Sequence, residues 1–280
     1  MNAFKQLLQP PTAPGGDVRP RASHQRVPMG TWIVSASPLV AEAIGHAGFD
    51  WAVLDMEHSP LELGGVVHLL QALASTRLVP IVRLPSNDAV LAKRLLDAGA
   101  ATLMVPFVQS ADEAARAVAA LRYPPRGVRG TSRMSRATRY GTLPLDTRAA
   151  DAGVALIVQL ETPQALGALE AIAAVDGVDA LFIGPADLSV AMGHGGDVRH
   201  PAVMKAILEA GERARAAGKP IGTLAGTPEV ATQLRAAGFD FVGLGTDLGM
   251  LVHAAQASLA ALRTPEAAMV HSLSAGTHAY

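Results

Sequence analysis

The segment AGFDWAVLDMEHSP, residues 47–60, contains the pattern from which the chain is built. Gly48 suits the left-handed position that ends a helix, and the apolar run from Trp51 to Met56 suits a buried strand. Polar residues follow the strand at once. The triplets Gly99-Ala100-Ala101 and Gly238-Phe239-Asp240 repeat the glycine joint before two further apolar runs. The pattern predicts a repeated unit of strand, polar loop and helix.

Eight such units follow one another along the chain. Short runs of Val, Ile and Leu alternate with Ala-rich amphipathic stretches, which is typical of a parallel sheet covered by helices. The predicted strands are Thr31–Ser35, Trp51–Met56, Pro80–Arg83, Thr102–Val105, Ala155–Leu160, Ala180–Ile183, Ile221–Leu224 and Phe241–Leu244. The helices after them are predicted to begin near Pro38, Glu62, Asp88, Ala111, Thr162, Pro201, Pro228 and Leu248.

Eight units indicate an α/β protein with the (β/α)8 TIM-barrel fold. A doubly wound open sheet is the alternative. The GxGxxG fingerprint of dinucleotide-binding folds does not follow the first predicted strand, which weakens that alternative. We expect three parts: residues 1–29 as a short helix and a Pro/Gly-rich lead-in, residues 30–263 as the barrel, and residues 264–280 as a tail.

The composition limits the possible functions. The 280 residues are 50% hydrophobic and 17% charged and contain no cysteine, which excludes thiolate catalysis and iron–sulfur clusters. The net charge of -1 gives no general attraction to nucleic acid or to an anionic membrane. Neither a membrane-spanning run nor an export signal is recognised. We expect a cytoplasmic protein with small-molecule partners, without nucleic acid or membrane.

One basic segment stands apart from this neutral composition. Residues Arg122 to Arg139 include six arginines, with Tyr123 and Tyr140 at the edges of the segment. The segment could bind phosphate, in which case the chain would be a non-catalytic anion- or RNA-binding protein. A structured loop at a subunit contact is the alternative, and the near-neutral charge of the whole chain favours it.

In a TIM barrel, catalytic groups stand at the carboxyl ends of the strands. The polar residues predicted there are Asp55, Glu57, His58, Arg83, Gln159, Glu161, Asp187 and Asp247. Glu161 and Asp187 end neighbouring strands, so their carboxylates either share a hard divalent cation or have local roles such as helix capping.

Two basic side chains in this set have alternative roles. Strand alternation turns Arg83 into the barrel, where it either binds a substrate anion or enolate oxygen or pairs with Asp55 or Glu57. His58 is either a general acid or base or a solvated loop histidine. Asp97 is different, because it lies at a helix C-terminus and opposes the helix dipole unless Lys93 or Arg94 offsets it locally.

These motifs together resemble the HpcH/HpaI family of class II, metal-dependent pyruvate aldolases, typified by 4-hydroxy-2-oxoheptane-1,7-dioate aldolase. The resemblance is carried by residues 30–32, 47–60, 82–83, 95–99, 122–130, 159–162, 183–189 and 245–247. It implies reversible cleavage of a 4-hydroxy-2-oxo acid to pyruvate and an aldehyde. Related enolate enzymes, an oxaloacetate decarboxylase or an acyl-CoA lyase, are the alternatives.

The resemblance also assigns roles to the site residues. It implies that Glu161 and Asp187 hold Mg²⁺, Mn²⁺ or Co²⁺, with Gln159 nearby, and that pyruvate or its enolate binds this metal. The amides of Ala186 and Asp187, together with Arg83, would neutralise the negative charge of the substrate. Trp32 would be a further substrate-binding residue.

The resemblance implies that His58, oriented by a carboxylate such as Asp55, moves the proton of the C4 hydroxyl; a metal-bound water is the competing base. Asp97 resembles the partner of this histidine. A helix C-terminus lies at the barrel end opposite the active site, so we expect Asp97 to reach His58 of a neighbouring subunit. Family members are typically homohexamers that exchange the last barrel helix, here residues 248–262.

Overall fold

Eight parallel strands close into a barrel in the computed structural model, which describes residues 1–9 and 27–263. The strands are β1 Met29–Ile33, β2 Trp51–Asp55, β3 Val79–Arg83, β4 Thr102–Val105, β5 Ala155–Leu160, β6 Ala180–Ile183, β7 Ile221–Ala225 and β8 Phe241–Thr246. They are arranged in chain order, and β8 pairs with β1 to complete the ring. The predicted (β/α)8 barrel is confirmed, and the open doubly wound sheet is wrong.

Helices surround this barrel. They are α1 Ala3–Leu8, α2 Pro38–His46, α3 Leu63–Leu73, α4 Ala89–Asp97, α5 Ala111–Leu121, α6 Thr147–Ala152, α7 Pro163–Gly167, α8 Leu169–Ala173, α9 Pro185–Ala191, α10 Pro201–Ala216, α11 Pro228–Ala236 and α12 Asp247–Arg263. A 3-10 turn covers Arg136–Thr138. No helix in the described ranges has the length and hydropathy needed to span a membrane.

The boundaries follow from local chemistry. The Ser37, Asp88, Ser110 and Thr162 side chains each accept a backbone N–H at the start of a helix. The three glycines of the repeated joint, at positions 48, 99 and 238, have φ of +98°, +96° and +87°. These are the predicted left-handed helix ends, where a side chain would be strained.

The start of β1 differs from the prediction. It begins at Met29 rather than Thr31, and residues 34 and 35 lie beyond its end. Met29 and Gly30 pair with Val242 and Gly243 of β8. This long-range pairing extends the strand towards the N-terminus.

The core has two layers. The inner layer fills the barrel with side chains from alternate strand positions, among them Trp32, Trp51, Val53, Ile81, Met104, Ile157, Phe182 and Phe241. The outer layer packs the other strand faces against the helices. Side chains alternate between the two faces of each strand. The inward-facing side chains nearest the carboxyl ends of the strands lie above the inner layer and reach the mouth of the barrel.

Helix α1 closes the opposite end of the barrel. Phe4 is fully buried, and its ring centroid lies 5.2 Å from that of Phe241. The Asn2 amide donates hydrogen bonds to the carbonyl oxygens of Ala101 and Gly153. This short N-terminal helix therefore packs as part of the barrel. Residues 10–26 and 264–280, which hold most of the predicted lead-in and the predicted tail, lie outside the described residues.

Candidate functional site

A cavity of about 270 Å³ opens at the carboxyl ends of the strands. Its wall includes eight residues that the sequence analysis selected: Trp32, Asp55, His58, Arg83, Gln159, Glu161, Ala186 and Asp187. The remaining wall residues are Val34, Phe182, Gly184, Pro185, Leu224 and Thr246. We call this space the mouth cavity.

Strand register places Arg83 beside Asp55, because these residues are directly paired at the ends of β2 and β3. Arg83 donates from Nε to Asp55 Oδ1 at 2.9 Å and from Nη2 to Asp55 Oδ2 at 2.7 Å. Arg83 Nη1 lies 2.8 Å from Glu57 Oε2. Both members of the pair are buried, with exposed fractions of 7% for Arg83 and 1% for Asp55. The ion pairs considered in the sequence analysis are thus present with both carboxylates.

Asp55 also shapes the loop that carries His58. Asp55 Oδ1 accepts the backbone N–H of Glu57 at 2.9 Å and that of His58 at 3.4 Å, and the Ser59 hydroxyl donates to the Asp55 carbonyl oxygen. The His58 side chain is 62% exposed, and its Nε2 lies 3.9 Å from Glu57 Oε1. The imidazole therefore lies at the open side of the mouth cavity, where it can meet a substrate.

Glu161 is held from two sides at the end of β5. Its Oε2 accepts the backbone N–H of Phe107 at 2.9 Å, and its Oε1 accepts from Gln159 Nε2 at 3.2 Å. Gln159 Oε1 is buried without a hydrogen-bond partner. Gly184 makes room for the carboxylate, since a Cβ at that position would lie 2.2 Å from Glu161 Oε1. Phe107 donates from a left-handed backbone conformation with φ of +51°.

The site carries a surplus of negative charge. Burial raises the pKa of Glu57 to about 7, against the attraction of Arg83 and with added repulsion from Asp55 and Asp187. Burial likewise raises the pKa of Glu161 to about 7, although the Phe107 amide opposes this change. Burial is the main cause of both raised pKa values, and repulsion from neighbouring carboxylates adds to it.

The donors at this position suit a hard cation. The Glu161 and Asp187 carboxylates and the unpartnered Gln159 oxygen line the same cavity, and hard divalent cations prefer oxygen donors. Within residues 1–9 and 27–263, no group of three or more carboxylate or imidazole side chains is arranged to hold a metal. A cation here would thus depend on two carboxylates and on oxygens from water or substrate.

Asp97 lies away from the mouth cavity, at the end of α4 on the opposite side of the barrel. Its Oδ1 accepts from Arg129 Nη2 at 3.1 Å. The cation in contact with this carboxylate is therefore Arg129, from the basic segment, rather than Lys93 or Arg94 of the same helix.

Asp247, another predicted strand-end carboxylate, is used for structure. Its two oxygens accept the backbone N–H groups of Val34, Ser35 and Leu248. Asp247 is nearly buried and is absent from the wall of the mouth cavity. The carboxylate therefore joins the start of α12 to the end of β1.

The basic segment is largely tied to its own chain. Arg122 and Arg126 lie 3.0 and 3.9 Å from Asp176, and Arg136 donates to the Ala98 carbonyl oxygen. Arg129 stacks on the Tyr123 ring with its guanidinium carbon 4.6 Å from the ring centroid. Four of the six arginines thus have a hydrogen-bond or ion-pair partner within the chain.

Sequence reasoning missed two residues that position Glu161. Phe107 acts through its backbone N–H, so the identity of its side chain gives no indication of this role. Gly184 acts through the absence of a side chain. The sequence assigns roles to Ala186 and Asp187, whereas the role of Gly184 becomes visible only with the Glu161 carboxylate in place.

Comparison with known proteins agrees with this geometry. The model of the family described as HpcH/HpaI aldolase/citrate lyase matches residues 28–254. The chain is 47% identical over 243 residues to the 2-dehydro-3,6-dideoxy-6-sulfogluconate aldolase of Pseudomonas putida, covering 87% of this chain and 95% of that protein. It is 46% identical over 236 residues to a pyruvate aldolase of Rhizobium etli, covering 84% and 93%.

A solved structure of an HpcH/HpaI aldolase/citrate lyase family protein from Burkholderia cenocepacia superposes with a TM-score of 0.86 at 37% identity. The match covers 94% of this chain and 100% of that one. The barrel, the charged mouth and these relatives define an enzyme of the carbon–carbon lyase class, an aldolase. The chain belongs to the HpcH/HpaI aldolase/citrate lyase family.

Proposed function

We propose that this chain is a divalent-metal-dependent aldolase that reversibly cleaves a 4-hydroxy-2-oxo acid to pyruvate and an aldehyde. The observation that carries the proposal is the surplus of buried carboxylate around Arg83, with the pKa of both Glu57 and Glu161 raised to about 7. Glu161 and Asp187 would hold Mg²⁺, Mn²⁺ or Co²⁺, and Gln159 would support them. The pyruvate aldolase among the relatives supports the choice of pyruvate.

A bound cation would supply Lewis acidity, which stabilises negative charge as an enolate forms. Arg83 would supply a fixed positive charge for the substrate carboxylate or the enolate oxygen. Its two hydrogen bonds to Asp55 use two of the five guanidinium N–H groups, and Nη1 lies 2.8 Å from Glu57 Oε2, so N–H groups remain for a substrate. The amides of Ala186 and Asp187 would bind the same anion, and Trp32 would pack against the substrate.

His58 would move the proton. In cleavage it takes the proton of the C4 hydroxyl while the C3–C4 bond breaks, which releases the aldehyde and leaves the enolate of pyruvate. Addition of a proton at C3 then gives pyruvate. The exposed position of His58 at the mouth supports this role, and Asp55 positions its loop through two backbone hydrogen bonds.

Asp97 would orient His58 of a neighbouring subunit. The two residues lie at opposite ends of one barrel. Arg129 donates to Oδ1 of Asp97, and the second carboxylate oxygen, Oδ2, would be the one that accepts from the histidine. Verified mixed oligomers of inactive His58→Ala and inactive Asp97→Ala chains should therefore recover part of the turnover. Absence of recovered turnover would contradict the proposal that Asp97 of one subunit orients His58 of another.

Helix α12 supports assembly as a homohexamer with exchanged helices. Side chains along its length are exposed, including Leu251, Val252, Leu259 and Leu262. An apolar helix surface of this kind favours burial against another copy of the chain. Light scattering should give the mass of six chains, and Leu251→Glu with Leu259→Glu should lower that mass.

Pyruvate release from a panel of 4-hydroxy-2-oxo acids tests the activity. We expect EDTA to reduce kcat/KM by about a hundredfold or more, and Mg²⁺, Mn²⁺ or Co²⁺ to restore it. Glu161→Gln should behave like the chelated enzyme, whereas Glu170→Gln, an exposed carboxylate outside the mouth cavity, should not. Full activity in EDTA would refute metal dependence. Release of carbon dioxide from oxaloacetate, or cleavage of an acyl-CoA, in place of aldol cleavage would identify a related enolate enzyme.

A further inference from the structure

The loop between β4 and α5, residues 106–110, carries a strained residue beside the site. Phe107 has a φ of +51°, a left-handed conformation that bulky side chains rarely adopt. Strain of this kind persists only where the surrounding contacts enforce it. In this conformation the Phe107 N–H donates to Glu161 Oε2 at 2.9 Å. A negative φ at Phe107 would reorient this N–H relative to the residues that follow it.

The side chain of Phe107 does not enforce the strained conformation. Phe107 is 45% exposed and forms part of the wall of a cavity of about 190 Å³ outside the mouth cavity. A residue packed this loosely has few side-chain contacts that resist relaxation of its backbone. The enforcing contacts therefore come from the neighbouring residues of the loop.

Three hydrogen bonds fix the loop on the C-terminal side of the strained residue. The Val108 N–H donates to the Gln159 carbonyl oxygen at 3.1 Å. The Thr162 hydroxyl donates to Gln109 Oε1 at 3.2 Å, and the Gln109 N–H donates to Glu113 Oε2 at 2.7 Å. A hydrogen bond to an ionised group is roughly twice as strong as a neutral one. The Glu113 carboxylate is therefore the strongest acceptor among them.

Glu113 also has an ordinary structural role at the start of α5. The Ser110 hydroxyl accepts the Glu113 N–H at 3.2 Å, as in the capping box that often begins a helix. In a capping box the acidic side chain returns to the N–H of the capping residue itself. Here the Glu113 carboxylate reaches Gln109, one residue earlier, and so it holds the loop as well as the helix.

We propose that Glu113 is a positioning residue of the site: it holds the strained loop so that the Phe107 N–H stays on the Glu161 carboxylate. The proposal rests on the proposed function, in which Glu161 is a metal ligand. Removal of a group that orients a metal ligand typically lowers metal affinity by about 10–100-fold. Glu113 acts through the intervening loop, so we expect an effect at the lower end of this range.

Calorimetry of Mg²⁺ binding to the full chain tests this role. Glu113→Ala should weaken Mg²⁺ binding about tenfold, whereas Glu113→Gln, which keeps an oxygen that can accept the Gln109 N–H, should stay near the wild type. Asp112→Ala is the matched control, because Asp112 is an exposed carboxylate in the same turn of α5. Wild-type affinity in Glu113→Ala, or an equal loss in Asp112→Ala, would overturn the proposal.

Phe107→Gly tests the part played by the strain. Glycine adopts a positive φ without steric cost and keeps the backbone N–H, so the loop needs less support. In the Phe107→Gly background, Glu113→Ala should weaken Mg²⁺ binding by less than about threefold. Loss of the full effect in this background would show that Glu113 does not act through the strained residue, and it would overturn the proposal.

Hydrogen exchange of the metal-free chain gives a readout that needs neither Mg²⁺ nor turnover. The Phe107 amide should be protected in the wild type and should exchange at least about tenfold faster in Glu113→Ala. A wild-type Phe107 amide that exchanges like an exposed one would overturn the proposal, even if Glu113→Ala does not fold. Protection that depends on Glu113, in a chain that does not bind Mg²⁺, would support the positioning role and refute the metal site.

Discussion

Raising the pH should destabilise the metal-free protein, because two buried carboxyl groups of the site must then become charged. The pKa of Glu57 and that of Glu161 rise from 4.5 to about 7, in both cases mainly through burial. A group whose folded-state pKa is raised stabilises the fold below its unfolded pKa, and this contribution is lost as the pH rises through the folded pKa. The free energy of unfolding should therefore fall between about pH 4.5 and pH 7.

The size of the effect follows from the raised pKa values. A rise from 4.5 to about 7 corresponds to about 3 kcal/mol of unfolding free energy for the buried Glu161, and solvent screening makes the contribution of the half-buried Glu57 smaller. The charge of Glu57 contributes to the raised pKa of Glu161, so the two losses are coupled. About 6 kcal/mol is thus the upper limit for the pair. Mg²⁺ should remove most of the pH dependence, because a cation favours the charged carboxylates.

Urea unfolding in EDTA at pH 5, 6 and 7 measures this loss, at one protein concentration because assembly also affects stability. Glu161→Gln should remove about half of the pH dependence or more. Glu170→Gln is the control, since the hydrogen bonds from Arg213 to Glu170 lower the pKa of that exposed carboxyl to about 2. A free energy of unfolding that stays constant or rises from pH 5 to pH 7 would refute the reasoning. A Glu161→Gln variant whose free energy of unfolding depends on pH as steeply as that of the wild type would also refute it.

Three substitutions test other contacts. Asp55→Asn should cost about 3–5 kcal/mol in urea unfolding because it breaks a buried pair with Arg83, and a loss below about 1 kcal/mol would contradict this. Phe4→Ala should cost about 3–5 kcal/mol because it empties the closed end of the barrel, and an unchanged Tm would show that α1 adds no stability. Gly184→Ala should weaken Mg²⁺ binding at least about tenfold in calorimetry by displacing Glu161, and unchanged affinity would count against that ligand.

The fold could be predicted because its local signals agree. The glycine joints at residues 48, 99 and 238 mark helix ends, and the apolar runs after them have the length of strands. The start of β1 could not be predicted in the same way. Its first residues are ordered by pairing with β8, more than two hundred residues later in the chain.

The candidate site was predictable in its residues but not in its contacts. The position of Arg83 at a strand end was visible, whereas the choice among its partners depended on the register between β2 and β3. Asp97 shows the same limit, because Arg129 reaches it from the basic segment rather than from α4. The hydrogen bond from the Phe107 backbone N–H could not be predicted from the sequence, because every residue except proline has such a group.

The aromatic packing inside the barrel gives the protein an intrinsic optical probe. The chain has two tryptophans, and Trp32 and Trp51 are in contact, with ring centroids 5.8 Å apart. Trp51 also contacts Phe241, on which Phe4 packs, whereas Trp32 lines the mouth cavity. Tryptophan fluorescence therefore originates entirely from the barrel interior. A ligand arriving at the mouth and a loosening of α1 at the far end should both alter the emission of this one connected stack.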